Sequence, residues 1–321
     1  MSKDIKIRNG LTINLKGAAN NIIKKTGPYK SVSLNPSNFH LIVPKMVVKV
    51  GDKVSKGDVV FHSKNDERIK FCSPEDGVIA DIVRGAKRKI IEIIINVNKK
   101  NDSKDLKPIS IDNLNAENTK NILLKSGCWP FIKQRPYDII ANPSENPKSI
   151  FISGFNSAPI SADLEIILDD QKKEFEMGVN VLTKLTSGNV NVCINKNSAS
   201  FFNNINGIKL HKIDGPHPAG NVGVQIHHID PISSGDRVWI LGAEDVAIIG
   251  RYFTTGKYNP LRTVAVSGPP VKNPQYYKTI AGAEIKPIIE DAGLTVDSQV
   301  RIINGDVLTG YKVEHDNYLG F

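Results

Sequence analysis

The chain has 321 residues, 40% hydrophobic and 23% charged, a globular balance at a length that predicts two or three domains rather than one core. No apolar run reaches the roughly 20 residues of a membrane-spanning helix, and the opening MSKDIKIRNG lacks the apolar stretch of a signal peptide, which predicts a cytoplasmic product. The 42 basic and 33 acidic residues leave a net charge of +9, but the lysines lie scattered and are not interleaved with aromatics, which argues against a nucleic-acid partner.

Residues 38–97 read as short strands joined by glycine turns. VVKVGDKVSKGDVVF places apolar residues around Gly51-Asp52 and Gly57-Asp58, SPEDGVIADIV repeats the theme, and KIIEIIINV closes it. This spacing resembles the flattened barrel of biotinyl and lipoyl carriers. A carrier's modified lysine would sit midway between Gly57-Asp58 and Ser73-Pro74, where this chain has Asp66 and Glu67. Lys64 falls two or three residues early, and Lys45-Met46 lies in the wrong strand, so a barrel without a prosthetic group is expected.

The polar stretch 98–112 reads as a linker. A helix is expected from about Asn115, closed by Gly127 as its C′ residue. SIFISG at 149–154, NVNVCI at 189–194, GIKLHKI at 207–213 and RVWILG at 237–242 read as strands. Between them Phe175, Val179, Leu182 and Leu185 recur at helical spacing, and AEDVAIIGRYF reads as another helix. The alternation predicts a Rossmann-like parallel α/β domain at 113–258. RTVAV, AEIKPIIEDAG and QVRIINGDVLTG then predict a β-grasp module at 259–321, after an N-terminal segment and barrel at 1–100.

Cys72, Cys128 and Cys193 stand apart without a C-x-x-C pair, unlike the clustered ligands of iron–sulfur or structural zinc sites. The histidines concentrate in GPHPAGNVGVQIHH, residues 215–228. Gly215 and Gly220 have the glycine spacing of a phosphate-binding P-loop, but Asn221 and Val222 replace the lysine and hydroxyl that grip phosphates. No G-x-G-x-x-G dinucleotide motif and no G-x-S-x-G elbow occurs. His217 is flanked by Pro216 and Pro218, which restrict its backbone, whereas His227 and His228 are adjacent and so point different ways. Three readings stay open for this loop: a shaped structural turn, a contact to an organic ligand or partner, and a metal site. A free-standing enzyme or binding protein that uses the loop is the alternative function.

GPHPAGNVGVQIHHIDPIS followed by VWILGAEDVAIIGRYFTTGKY resembles the NqrA family, one of the component chains of the sodium-translocating NADH:quinone reductase. IKIRNGLTINLKG, SGCWPFIKQRPYD, FEMGVNVLTKL, VSGPPVKNP and NGDVLTGYKV extend the similarity over nearly the whole chain. Members of that family continue past Tyr318–Gly320, so the resemblance implies a shortened form. It also implies a barrel-sandwich hybrid, a Rossmann-like domain and a β-grasp (SLBB-like) module, in a peripheral component of a complex on the cytoplasmic face of the bacterial inner membrane. The implied partners are subunits B to F, chiefly one embedded in the membrane, together with ubiquinone or menaquinone. The complex is expected to pass electrons from NADH through flavins (FMN, FAD, riboflavin) and an iron–sulfur centre to quinone while moving Na⁺. Related subunits in the Rnf complex and complex I bind flavin through a glycine-rich loop. The matching segment here, Ser126–Phe131, carries Trp129 and Phe131, so no redox carrier is expected in this chain. His217, His227, His228, Gly215 and Gly220 are the residues expected to contact quinone or a partner.

Overall fold

The apolar runs at 149–153, 190–195, 208–214 and 238–242 form the centre of a seven-stranded sheet. In spatial order its strands are Asp4–Lys6, Ile208–Asp214, Val190–Asn195, Ser149–Ser153, Val238–Gly242, Lys133–Arg135 and Ile139–Ile140. The first five are mutually parallel, and the last two run antiparallel to their neighbours. The computed structural model describes residues 3–98, 107–198, 201–295 and 300–321. The expected linker at 98–112 falls partly, at 99–106, outside the described residues.

This sheet belongs to the first of two compact units, built from Met1–Thr12, Leu106–Ser157 and Asp163–Tyr258. Its helices are α1 (Ala116–Ser126), α2 (Leu164–Leu168), α3 (Lys172–Thr183), α4 (Val222–Ile229) and α5 (Ala243–Thr255). α1 starts where Asn115 accepts the Asn118 N–H and stops at Gly127, at φ +77, the two ends expected from the sequence. From Ser149–Ser153 the chain steps outward through Val190–Asn195 to Ile208–Asp214, then returns to Val238–Gly242 on the other side. The strand order therefore reverses between Ser149–Ser153 and Val238–Gly242. α4 covers the sheet with Val222, Ile226 and Ile229, spaced on one helical face, over Phe151, Cys193, Ile213, Val238 and Ile240.

The second unit comprises Ile13–Asp105, Ala158–Ala162 and Asn259–Phe321. Its barrel pairs a four-stranded sheet (Ser31–Leu34, Ile90–Val97, Gly77–Arg84, Lys53–Val54) with a three-stranded one (Pro44–Met46, Val59–Ser63, Lys70–Cys72). Val32, Leu34, Val60, Phe61, Phe71, Ile79, Ile93 and Ile95 are buried, with Phe61 stacked on Phe71 at 4.4 Å. The turn between Val59–Ser63 and Lys70–Cys72 carries Lys64 at its start. Its tip is closed by Arg68 on Asp66 at 2.7 Å and Lys45 on Glu67 at 2.7 Å. The C-terminal part of this unit is a hairpin of Leu261–Val266 and Gln275–Ile280, followed by α6 (Lys286–Ala292) and a hairpin of Ile302–Asn304 and Tyr311–Val313. Ile23–Lys25, which has no strand signal in the sequence, joins Gln275–Ile280 in parallel.

Candidate functional site

The loop at 215–221 leaves the strand Ile208–Asp214 at the sheet edge where all five parallel strands end, and it runs into α4. Ligands of open α/β sheets sit at this edge, beside the point where strand order reverses. The loop is held by backbone contacts that only glycine admits. Gly215, at φ +139, lies against Ile7, where a Cβ would strike the carbonyl oxygen. Gly220 lies against Ser157, where a Cβ would strike the amide nitrogen. The Ile7 N–H donates to the Asp214 carbonyl at 2.8 Å and the Leu11 N–H to the His217 carbonyl at 2.9 Å. Ala219 is fully buried in the core under α4.

These contacts fix His217. The His217–Pro218 peptide is cis, and the ring is half-buried with Nδ1 3.0 Å from Ser157 Oγ. That hydroxyl oxygen accepts the Gly220 N–H at 2.8 Å. Below it, Ser153 Oγ donates toward the Phe155 carbonyl at 2.9 Å and accepts from Gln225 Nε2 at 3.1 Å. His217 Nε2 has no hydrogen-bond partner among the described residues. With Nδ1 oriented by Ser157, Nε2 is a held, half-buried position from which an imidazole N–H can donate.

His227 and His228 lie in the last turn of α4, exposed, with ring centroids 5.1 Å apart and edge to face. Five residues of helix rise, roughly 8 Å, separate His227 from the α4 N-terminus that follows the loop. The structure therefore brings Gly215, His217 and Gly220 together and leaves His227 and His228 at the far end of the helix. There their imidazoles face the negative end of the helix dipole. Among the described residues no group of three or more His, Cys, Asp or Glu side chains is arranged to hold a metal ion. Sequence reasoning misses Ile7, Leu11 and Ser157, which reach the loop only through the fold. The N-terminal IKIRNGL and the loop GFNSAP carry no local sign of that contact.

Ser126–Phe131, the segment that would match a flavin-binding glycine loop, is a buried turn. Trp129 is fully buried, donates its indole N–H to the Ala141 carbonyl at 2.8 Å, and crosses Trp239 edge to face at 5.4 Å. Gln134 ties this layer together, since its Oε1 accepts from Trp239 Nε1 at 3.2 Å. Burial pushes the Cys128 thiol up to about 12, which keeps it protonated and unreactive. Trp129 and Phe131 are taken up by the core, and Gly127 is the one glycine that the segment offers where a phosphate-binding loop has several. Cys193 is likewise raised by burial, and Cys72 is buried.

Comparison with known proteins covers all three regions. Residues 5–98 match the NqrA N-terminal barrel-sandwich hybrid domain, 114–258 the NqrA second alpha/beta domain, and 263–315 the NQRA C-terminal domain. The NqrA chain of the Na(+)-translocating NADH-quinone reductase of Hahella chejuensis is 36% identical over 324 residues, covering 98% of this chain and 71% of that protein. The corresponding NqrA chains of Photorhabdus laumondii and of Neisseria meningitidis serogroup A are each 34% identical, again over 98% of this chain and 71% of theirs.

Proposed function

This chain belongs to the NqrA family of the Na(+)-translocating NADH-quinone reductase, and we propose that it serves such a reductase as a peripheral subunit whose His217 donates a hydrogen bond to quinone. In this reading it docks on the membrane-embedded subunits from the cytoplasmic side and contributes to the assembly of the complex with subunits B to F. NADH oxidation, quinone reduction and Na⁺ movement belong to the whole complex, and its flavins and iron–sulfur centre are held by other subunits. Among the described residues no helix is long and apolar enough to cross a membrane, which suits a peripheral place.

The observation that carries the quinone contact is His217 itself. Its Nδ1 faces Ser157 Oγ at 3.0 Å, its Nε2 is without a partner among the described residues, and its loop stands at the ligand edge of the sheet. A quinone has two carbonyl oxygens that need donors, and a half-buried N–H with fixed direction supplies one. Ubiquinone and menaquinone both present this carbonyl.

Membership in the complex is tested by affinity purification of the tagged chain from detergent-solubilised membranes of its own host. Co-purification of membrane flavoproteins with NADH:quinone reductase activity is expected. A chain recovered alone, with catalytic activity of its own, would return the loop to a free-standing enzyme.

A second reading is favoured by the glycine packing: the loop is a structural turn alone, because Gly215 and Gly220 are needed to lay it on Ile7 and Ser157. The two readings part at one place. Only the first makes quinone kinetics sensitive to His217 while the chain stays assembled in the complex.

A further inference from the structure

A half-buried edge strand normally turns apolar side chains inward and polar ones to water. The barrel strand Pro44–Met46 and its flanks depart from this. From 41 to 49 exposure alternates strictly, with Leu41, Val43, Lys45, Val47 and Lys49 outward and Ile42, Pro44, Met46 and Val48 half-buried. Three of the five outward positions are therefore large aliphatics, exposed by 69%, 50% and 57% at Leu41, Val43 and Val47. Leu41 is displayed at φ +59, a backbone conformation that bulky residues rarely take.

The cations lie on the same face. Lys45 stands opposite His62 in the neighbouring strand, and His62 stands opposite Lys70 in the next, so the three share one side of the sheet. The Lys64 amide bonds to the Val43 carbonyl at 2.8 Å, which sets Lys64 beside Val43. Glu67 answers one of these charges through Lys45 at 2.7 Å.

We propose that this face of the barrel seats on an anionic phospholipid bilayer, with Leu41, Val43 and Val47 entering the interface and Lys45, Lys49, Lys64 and Lys70 among the phosphates. Charge complementarity selects this occupant. An apolar groove on a protein would have to desolvate Lys45 and Lys49 between the valines, whereas at a headgroup layer the ammonium groups stay hydrated while the aliphatic tips pass below them. Addition of a partner strand to this edge is disfavoured by Pro44, which has no N–H to give. The inference goes beyond membership in the reductase and does not rest on the His217 contact.

The test is co-sedimentation of the full chain with vesicles of phosphatidylcholine alone or mixed with phosphatidylglycerol. Binding is expected to the mixed vesicles, weakened by high salt and absent on phosphatidylcholine alone. Val43→Asp with Val47→Asp, and separately Lys45→Glu with Lys49→Glu, should each weaken it by roughly tenfold or more. Ile91→Asp, at an exposed aliphatic of the other sheet, should bind as the native chain does. If the valine variant fails to fold by circular dichroism, the lysine variant decides, since both its positions are solvent-exposed. No binding of the native chain to anionic vesicles, or binding untouched by the substitutions, overturns the proposal. So does capture of this face by another protein in the absence of any affinity for lipid.

Discussion

Ser157 Oγ lies 3.0 Å from His217 Nδ1 and accepts the Gly220 amide N–H at 2.8 Å. One hydroxyl thus orients the imidazole and satisfies a buried backbone donor of the same loop. Where the hydroxyl gives its proton to Nδ1, the ring proton stands on Nε2, the tautomer that the quinone contact requires. Ser157→Ala strands the Gly220 N–H and should cost about 1–3 kcal/mol of stability. His217→Ala keeps the Ser157–Gly220 bond and should cost about 1 kcal/mol. Denaturant unfolding of the purified chain checks the order: Ser157→Ala is expected to be the more damaging, and the reverse would deny the hydroxyl its structural part.

The two loop glycines should be intolerant of a methyl group where a third glycine tolerates it. Gly220→Ala forces a Cβ onto the Ser157 backbone and should cost about 1–3 kcal/mol. Gly215→Ala adds left-handed strain at φ +139 and should cost at least as much. Gly223, in the first turn of α4, has open space at its Cβ, so Gly223→Ala should be neutral or stabilise by up to about 1 kcal/mol. Thermal unfolding of the three variants distinguishes a packed turn from a loosely held one.

His211 predicts an acid weakness. It is buried, Nδ1 accepts the Lys3 backbone N–H at 3.1 Å, and Nε2 meets Asn191 Oδ1 at 3.0 Å, an arrangement that suits the neutral ring. Burial first, and the charges of Lys3 and Lys209 next, lower its pKa from 6.5 to about 4. Between those values the unfolded chain binds a proton that the folded chain refuses, so stability rises with pH across the window and is lost as pH falls from 6.5 toward 4. The full shift sets a ceiling of about 3 kcal/mol, which solvent screening of the lysine charges lowers. Denaturation at the two ends of the window should show His211→Gln losing markedly less than the native chain. Equal losses would place the acid sensitivity in the carboxylates.

Trp129 should behave as core and nothing else. Trp129→Ala empties a fully buried indole site and should cost about 3–5 kcal/mol. Trp129→Gly, which adds a second glycine beside Gly127, should be no less destabilised and should not retain FMN through gel filtration. Stoichiometric flavin in the glycine variant would show that bulk alone blocks a preserved cradle.

How much of this was legible in the sequence follows the range of the forces involved. Asn115, Gly127 and the apolar runs at 149–153, 190–195 and 238–242 act locally, and the elements they mark stand where the pattern sets them. The strand Asp4–Lys6 pairs with Lys212–Asp214 across two hundred positions, and Ile23–Lys25 pairs with Tyr276–Lys278, so neither carries a neighbouring signal. The loop at 215–221 is legible as a constrained turn from its prolines and glycines. What constrains it, Ile7 just after one strand and Ser157 in the loop that follows another, is a product of the sheet order. His227 and His228 look like members of the same constellation because they are near in sequence. The helix Val222–Ile229 that separates them has only a short apolar spacing to announce it.

Quinone kinetics of the assembled reductase carrying His217→Ala decide whether this loop is more than a turn. A neutral hydrogen bond contributes about 0.5–1.5 kcal/mol net, so the apparent KM for quinone should rise by up to roughly tenfold with kcat largely kept. Co-purification of the variant chain with the complex must be intact for the comparison to be read, and His217→Gln, which keeps an N–H donor, should recover part of the affinity. An assembled His217→Ala complex with unchanged quinone KM and unchanged inhibitor sensitivity would contradict the quinone contact and leave the loop as structure alone.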